Sequence, residues 1–299
     1  MRKPVLVTHN DLDGVGCAVL LTRYCYDLDH DNIYYCGYDD VNEVVRKVAQ
    51  RNIDLYITDI SVSEEVADYL DKKYTNKSIK VTLLDHHKGA MHLNKYPWVR
   101  VVPEGECGTS LVFEYLIGIY GYSVDLCDYS DFVKLVKDYD LWLHKDIRSL
   151  DLNLLLSRIG KRSFVERFAY NPEVKWSYHE GMIIDDAREE MREYIQKATE
   201  RAIYVQTPVK VGVNFCEQYI SQVGHAMLSN CDIALVVNFA QGKASLRSSK
   251  YDMNEIAKAL GGGGHVRAAG FEIPAGMWPG DIVEMFFEKA KTFIREEGK

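Results

Sequence analysis

Three short apolar runs within the first 90 residues each end on a histidine or an aspartate. Val5-Leu6-Val7 leads into Thr8-His9-Asn10-Asp11, Leu55-Tyr56-Ile57 into Thr58-Asp59, and Val81-Thr82-Leu83-Leu84 into Asp85-His86-His87. Helix-like stretches lie between them, Gly14 to Tyr26, Asn42 to Gln50 and Glu64 to Tyr74. Buried strands alternating with helices build βαβ units and a parallel sheet. Sheets of this kind gather ligands beyond the carboxyl ends of their strands. All three acidic or histidine clusters fall at that edge, so the pattern predicts an α/β fold with one polar site along it.

The chain has 299 residues, more than one hydrophobic core usually organises, which predicts two domains. Gly108-Thr109-Ser110 opens a helix to about Tyr120, and a more helical region runs from about Ser130 to Phe168. From Glu180 to Ile203 an apolar stripe recurs at helical spacing through Met182, Ile183, Ala187, Met191, Tyr194, Ile195 and Ala198. This long helix is expected to close a first domain at 1–205. Proline cannot continue a helix, so Gln206-Thr207-Pro208 marks the boundary. Residues 209–299 then read as a smaller α/β domain with a glycine loop near residue 262.

The formal net charge of -8 argues against a protein that grips long nucleic acid, because phosphate neutralisation drives such binding. It suits a small substrate, or a local basic pocket working against the global field. Seven cysteines without CxxC spacing make neither a disulfide framework nor a structural zinc site. The run after Met1 is too short for a signal peptide or a membrane span, and a reducing, cytoplasmic setting is expected.

Alternation puts His9, Asp11 and Asp13 on one side of an extended backbone, with Gly14 and Gly16 allowing a sharp turn into a helix. Imidazole with carboxylate suits manganese, iron, zinc or cobalt better than calcium. Taken alone, Asp59 reads better as a helix cap, and Asp13 reads equally well as one. Adjacent His86 and His87 must point in different directions, so one can hold a metal while the other faces substrate, with Asp85 orienting a ring from behind. In Lys137-Asp138-Tyr139-Asp140-Leu141-Trp142 either aspartate could serve as a ligand. Farther along, Gly261-Gly262-Gly263-Gly264-His265-Val266-Arg267 can bring amides and cations to an anion, and Arg247 suits a bidentate phosphate contact.

The ordered set HxDxDG, TD, DHH, DYD and GGGGHxxAAG resembles the DHH phosphoesterase superfamily with its DHH-associated C-terminal domain, across nearly the whole chain. The resemblance implies an N-terminal parallel-sheet metal-binding domain and a smaller C-terminal α/β lobe, with the active site between them. It implies that His9 and Asp11 bind one metal, that Asp59 bridges, and that Asp13, His86 and Asp138 bind a second, with Asp140 as the fallback. His87 would face the scissile phosphate. Arg247 and His265 would hold substrate phosphate, with Gly262, Gly263, Gly264 and Arg267 lining the same loop. The DYDLW form in a compact two-domain chain is similar to the NrnB-type oligoribonuclease branch.

The resemblance therefore predicts a two-metal hydrolase, with manganese foremost and magnesium or cobalt as substitutes, that degrades short oligoribonucleotides to 5′-mononucleotides. The alternatives are a 3′,5′-bisphosphate nucleotide phosphatase and a cyclic (di)nucleotide phosphodiesterase. From another class comes a non-catalytic nucleotide-binding regulatory module. The expected partner is a short oligonucleotide or small nucleotide, with no membrane and no long, stable nucleic-acid complex. The sequence leaves room for a homodimer.

Overall fold

The first βαβ unit begins with β1 (Lys3–His9), whose Leu6 enters one hydrophobic cluster while Val5 and Val7 enter another. That alternation means both faces of the sheet are covered, as a parallel sheet requires. The structure is a computed structural model describing residues 2–25, 27–50 and 52–296. Met1, Tyr26, Arg51 and residues 297–299, which fall in elements or domains expected from the sequence, lie outside the described residues.

After β1 come α1 (Leu12–Tyr24), β2 (Ile33–Cys36), α2 (Val41–Val48), β3 (Ile53–Thr58), α3 (Glu64–Thr75), β4 (Lys80–Asp85) and β5 (Val99–Val101). The strands form a five-stranded, wholly parallel sheet in the order β2-β1-β3-β4-β5. Then follow α4 (Gly108–Tyr120), α5 (Val124–Cys127), α6 (Ser130–Asp140) and α7 (Ile147–Tyr170). One face packs on Leu20, Leu111, Phe132, Leu155, Phe164 and Phe168, and the other on Val45, Val66 and Leu70. Each such side chain contributes about 1.5–3 kcal/mol on burial.

The second sheet has six strands in the order β10-β11-β9-β8-β7-β6. Its elements are α8 (Tyr178–Glu200), β6 (Ile203–Gln206), β7 (Lys210–Phe215), α9 (Ile220–Met227), β8 (Ile233–Asn238), β9 (Lys243–Ser248), α10 (Met253–Ala259), β10 (Gly263–His265), β11 (Ala268–Glu272) and α11 (Pro279–Glu296). Only β7 and β8 run parallel, joined across α9. Leu235, Leu246, Phe271 and Phe286 fill one side of this sheet, and Val223, Met227 and Val236 the other.

The chain divides into compact units Met1–Ala187 and Arg188–Lys299, so the division falls inside α8 rather than at 205–209. The reason is packing. Ile183 and Ile184 join the core of the first unit, while Tyr194, Ile195 and Ala198 pack with Cys216, Val223 and Met227 of the second. Pro208 sits between β6 and β7, which pair as an antiparallel hairpin. The expected glycine loop is also more ordered than its composition suggests, because Gly263–His265 forms β10 against β11. No described helix is long and apolar enough to cross a membrane.

Candidate metal centre

His9 ends β1, Asp59 follows β3, and Asp85 ends β4 with His86 and His87 next in line. The parallel sheet thus brings residues from distant parts of the sequence to one edge. Asp11 caps α1, accepting from the Gly14 amide at 3.0 Å, and its other oxygen lies 2.7 Å from His9 Nδ1. Asp13 is buried, and its carboxylate accepts from the Gly108 and Thr109 amides at 2.5 and 2.8 Å. It therefore sits on the amino end of α4, where the helix dipole favours negative charge. Gly108 is required by space: a methyl group there would meet Asp59 Cβ at 2.5 Å and Asp13 Oδ2 at 2.9 Å.

Asp59 has a left-handed backbone, φ 55°, uncommon outside glycine but tolerated by aspartate. Its amide still donates to the Leu84 carbonyl, so the strand pairing holds while the backbone turns. Asp59 caps no helix; the α3 cap is Ser63. Its carboxylate faces both ways: Oδ2 lies 3.7 Å from His9 Nδ1, and Oδ1 lies 3.3 Å from His86 Nε2.

The two aspartates left open on α6 separate here. Asp140 Oδ2 lies 3.6 Å from His86 Nε2 and groups with Asp13 and His86. Asp138 turns elsewhere: its oxygens accept from the Lys145 amide at 2.9 and 3.1 Å and from the Asp146 amide at 3.4 Å. It anchors a turn in which Trp142 and His144 both have positive φ. Asp138 is thus corrected from metal ligand to loop anchor, and Asp140 takes the place in the cluster.

Three overlapping groups place ligand atoms within 4.8 Å of one another: His9-Asp11-Asp59, Asp13-His86-Asp140 and Asp59-His86-His87. Among the described residues neither Asp59 Oδ2 nor Asp140 Oδ2 has a hydrogen-bond partner, although both atoms are buried. Burial, and then the charges of Asp13 and Asp11, raise the Asp59 carboxyl well above its usual range. The same causes push Asp140 up to about 9. Buried carboxylates facing one another without hydrogen bonds are costly unless a cation joins them. The orphaned oxygens and the mixed imidazole–carboxylate donors fit divalent cations of the manganese, zinc or cobalt type.

His87 is held from both sides. Its Nδ1 lies 2.7 Å from Asp85 Oδ1, and the Tyr38 hydroxyl lies 2.9 Å from its Nε2. Burial lowers its pKa, but the contact with Asp85 outweighs that and leaves it raised. Asp85 is fully buried and also accepts from the His86 amide and the Ser61 hydroxyl. Tyr38, whose ring also lies 5.3 Å from that of His9, was missed by the sequence reading. The available signal was positional: Tyr38 follows β2, whose carboxyl end lies on the same sheet edge.

In the second unit, register aligns Arg247 with Ala268 and Ala268 with His265. Arg247 and His265 therefore share a sheet face two strands apart, roughly 10 Å. Arg247 is half-buried and, among the described residues, donates to neutral oxygens, the Ser245 and Ser221 hydroxyls and the Leu246 carbonyl, each at 2.9 Å. Gly263, Gly264, His265 and Arg267 are exposed and Gly262 partly so, with the Gly264 amide donating to Asn254 Oδ1 at 3.1 Å.

Carboxylates and imidazoles gathered at the carboxyl edge of a parallel sheet, with a second α/β unit carrying a glycine-rich hairpin, define the class of protein. The profile of the DHH family, N-terminal domain, matches residues 3–137, and that of the DHHA1 domain matches 211–296. The chain belongs to the DHH phosphoesterase family. It is 31% identical to the oligoribonuclease NrnB of Bacillus subtilis (strain 168), over 95% of this chain and 75% of that protein. A 3′,5′-cyclic-nucleotide phosphodiesterase of Helicobacter pylori (strain ATCC 700392 / 26695) is 22% identical over 56% of this chain and 51% of its own. RecJ from Thermus thermophilus, solved in complex with Mn2+, has the same fold at a TM-score of 0.59 and 15% identity, covering 97% of this chain and 52% of that one.

Proposed function

We propose that this protein hydrolyses short oligoribonucleotides to 5′-mononucleotides with two divalent cations, manganese foremost. His9, Asp11, Asp13, Asp59, His86 and Asp140 would hold them. The observation that carries the reading is Asp59, whose two oxygens face imidazoles of different ligand groups. A carboxylate so placed suits a bridge between two cations. Identity to an oligoribonuclease over most of the chain supports the choice of substrate.

Bound there, two divalent cations would polarise a phosphoryl oxygen and make a water nucleophilic near neutral pH. The side chains do the rest. Asp85 fixes the His87 ring through Nδ1, leaving Nε2, now beside Tyr38, to meet a non-bridging phosphate oxygen. The Gly108 and Thr109 amides at the start of α4 hold the Asp13 carboxylate in place. Arg247 donates to neutral oxygens among the described residues, which suits its charge to a substrate phosphate, with His265, Arg267 and the amides of Gly262, Gly263 and Gly264 as its companions.

The test is manganese-dependent release of mononucleotides from labelled dinucleotides and trinucleotides, beside cyclic nucleotides and 3′,5′-bisphosphates. Preference for the short RNAs, lost in Asp59→Asn, is the expected result. Inertness toward them together with rapid turnover of a cyclic or bisphosphate nucleotide would replace the substrate.

A further inference from the structure

A cleft of about 500 Å³ adjoins the metal centre, with Asp11 in its wall beside Asn10, Asn153, Ser157, Gly160 and Lys161. That volume falls within the roughly 300–1,000 Å³ of small-molecule pockets. All of these residues belong to the first unit. Leu156 adds an apolar wall to these polar side chains, and Lys161 is the only cation of the lining among the described residues.

Two features keep that cation in place without neutralising it. Its ammonium lies 4.9 Å from the centre of the Tyr35 ring and, among the described residues, against no carboxylate. The ring attracts the charge yet leaves its hydrogen-bonding capacity open. Gly160, immediately before it, interrupts α7 with φ 77° and ψ 162°. A methyl group at Gly160 would touch nothing within 4 Å, so the demand for glycine is conformational. Such a backbone is essentially closed to other residues. The break separates Lys161 from the helical run before it, at the rim of the cleft.

We propose that this cleft binds the nucleotide next to the scissile phosphodiester and that Lys161 pairs with that nucleotide's own phosphate. The proposal rests on the oligonucleotide reading given above. A trough opening from Asp11 receives whatever extends from the reacting phosphate. A lone cation beside an acidic cluster selects an anionic extension, and the amides of Asn10 and Asn153 offer donors and acceptors to sugar hydroxyls.

Lys161→Met keeps an aliphatic stem over Tyr35 and removes the charge. Steady-state kinetics would compare a trinucleotide with bis(p-nitrophenyl) phosphate, a diester lacking any second phosphate. The variant should raise the trinucleotide KM about tenfold or more, the size of one lost charge-assisted contact, with kcat nearly unchanged. The small diester should be cleaved as by the wild type. An unchanged trinucleotide KM, or equal losses on both substrates, would overturn the proposal. Binding of a phosphorothioate-linked trinucleotide to the manganese-loaded protein, read by fluorescence anisotropy, needs no turnover. A Kd about tenfold weaker in the variant supports the cleft even if oligonucleotides prove not to be substrates. Equal binding by both proteins, or none by the wild type, refutes it.

Discussion

Asp138 and Asp140 stand two residues apart on one helix, yet only Asp140 faces His86, at 3.6 Å, while Asp138 accepts from the Lys145 and Asp146 amides. On a helix such neighbours lie about 200° apart, so no single surface can use both. Asp140→Asn should lower kcat/KM by more than about 100-fold, since even substitutions outside a metal's direct ligands cost 10–100-fold. Asp138→Ala should instead cost about 1–3 kcal/mol of stability, the loss of a buried acceptor for paired amides. Activity per folded molecule should persist in that variant. Thermal melts and metal titrations on both would reverse the assignment if the losses were exchanged.

Asp85 does its work through His87. Asp85→Asn removes the charge that holds Nδ1, and a decrease in kcat of about 10- to 100-fold is expected, with manganese stoichiometry preserved. Loss of the metal along with the activity would point instead to collapse of the β4 edge.

Gly108 lets α4 approach the cluster. Gly108→Ala forces a methyl group against Asp59 Cβ at 2.5 Å, and overpacking of this kind costs about 1–3 kcal/mol. Manganese affinity should fall with stability. A variant as stable as the wild type, with unchanged affinity, would contradict the close packing described.

Removing the cations should make stability depend on pH. Asp59 and Asp140 have folded pKa values above the unfolded carboxyl value, Asp140 at about 9, through burial and then the charges of Asp13 and Asp11. Groups shifted upward stabilise the fold fully below their unfolded pKa, about 4, and that contribution is lost as pH rises through the folded value. Asp11 and Asp85, held low by their histidine partners against the burial that would raise them, act only below the ordinary carboxylate range. They do not offset the trend above it. In chelator the melting temperature should therefore fall from about pH 6 to about pH 8, and manganese should restore it at the higher pH. A flat profile in chelator would contradict the raised pKa values.

Much of this was legible in one dimension. The apolar runs of β1, β3 and β4 declare buried strands, and a parallel sheet must bring their carboxyl ends together, so His9, Asp59 and His86 could be assembled without coordinates. The run of β2 obeys the same rule and would have supplied Tyr38. What the sequence by itself determined was therefore the strand edge and the chemistry along it, because side-chain periodicity and chain direction are local properties. What only the tertiary structure decided was which face of a helix meets that edge. Asp140 over Asp138, the α4 amides beneath Asp13, and the cleft at Lys161 all depend on how α6, α4 and α7 pack on the sheet. Packing angle and register arise from the whole core at once and leave no signature at any single residue.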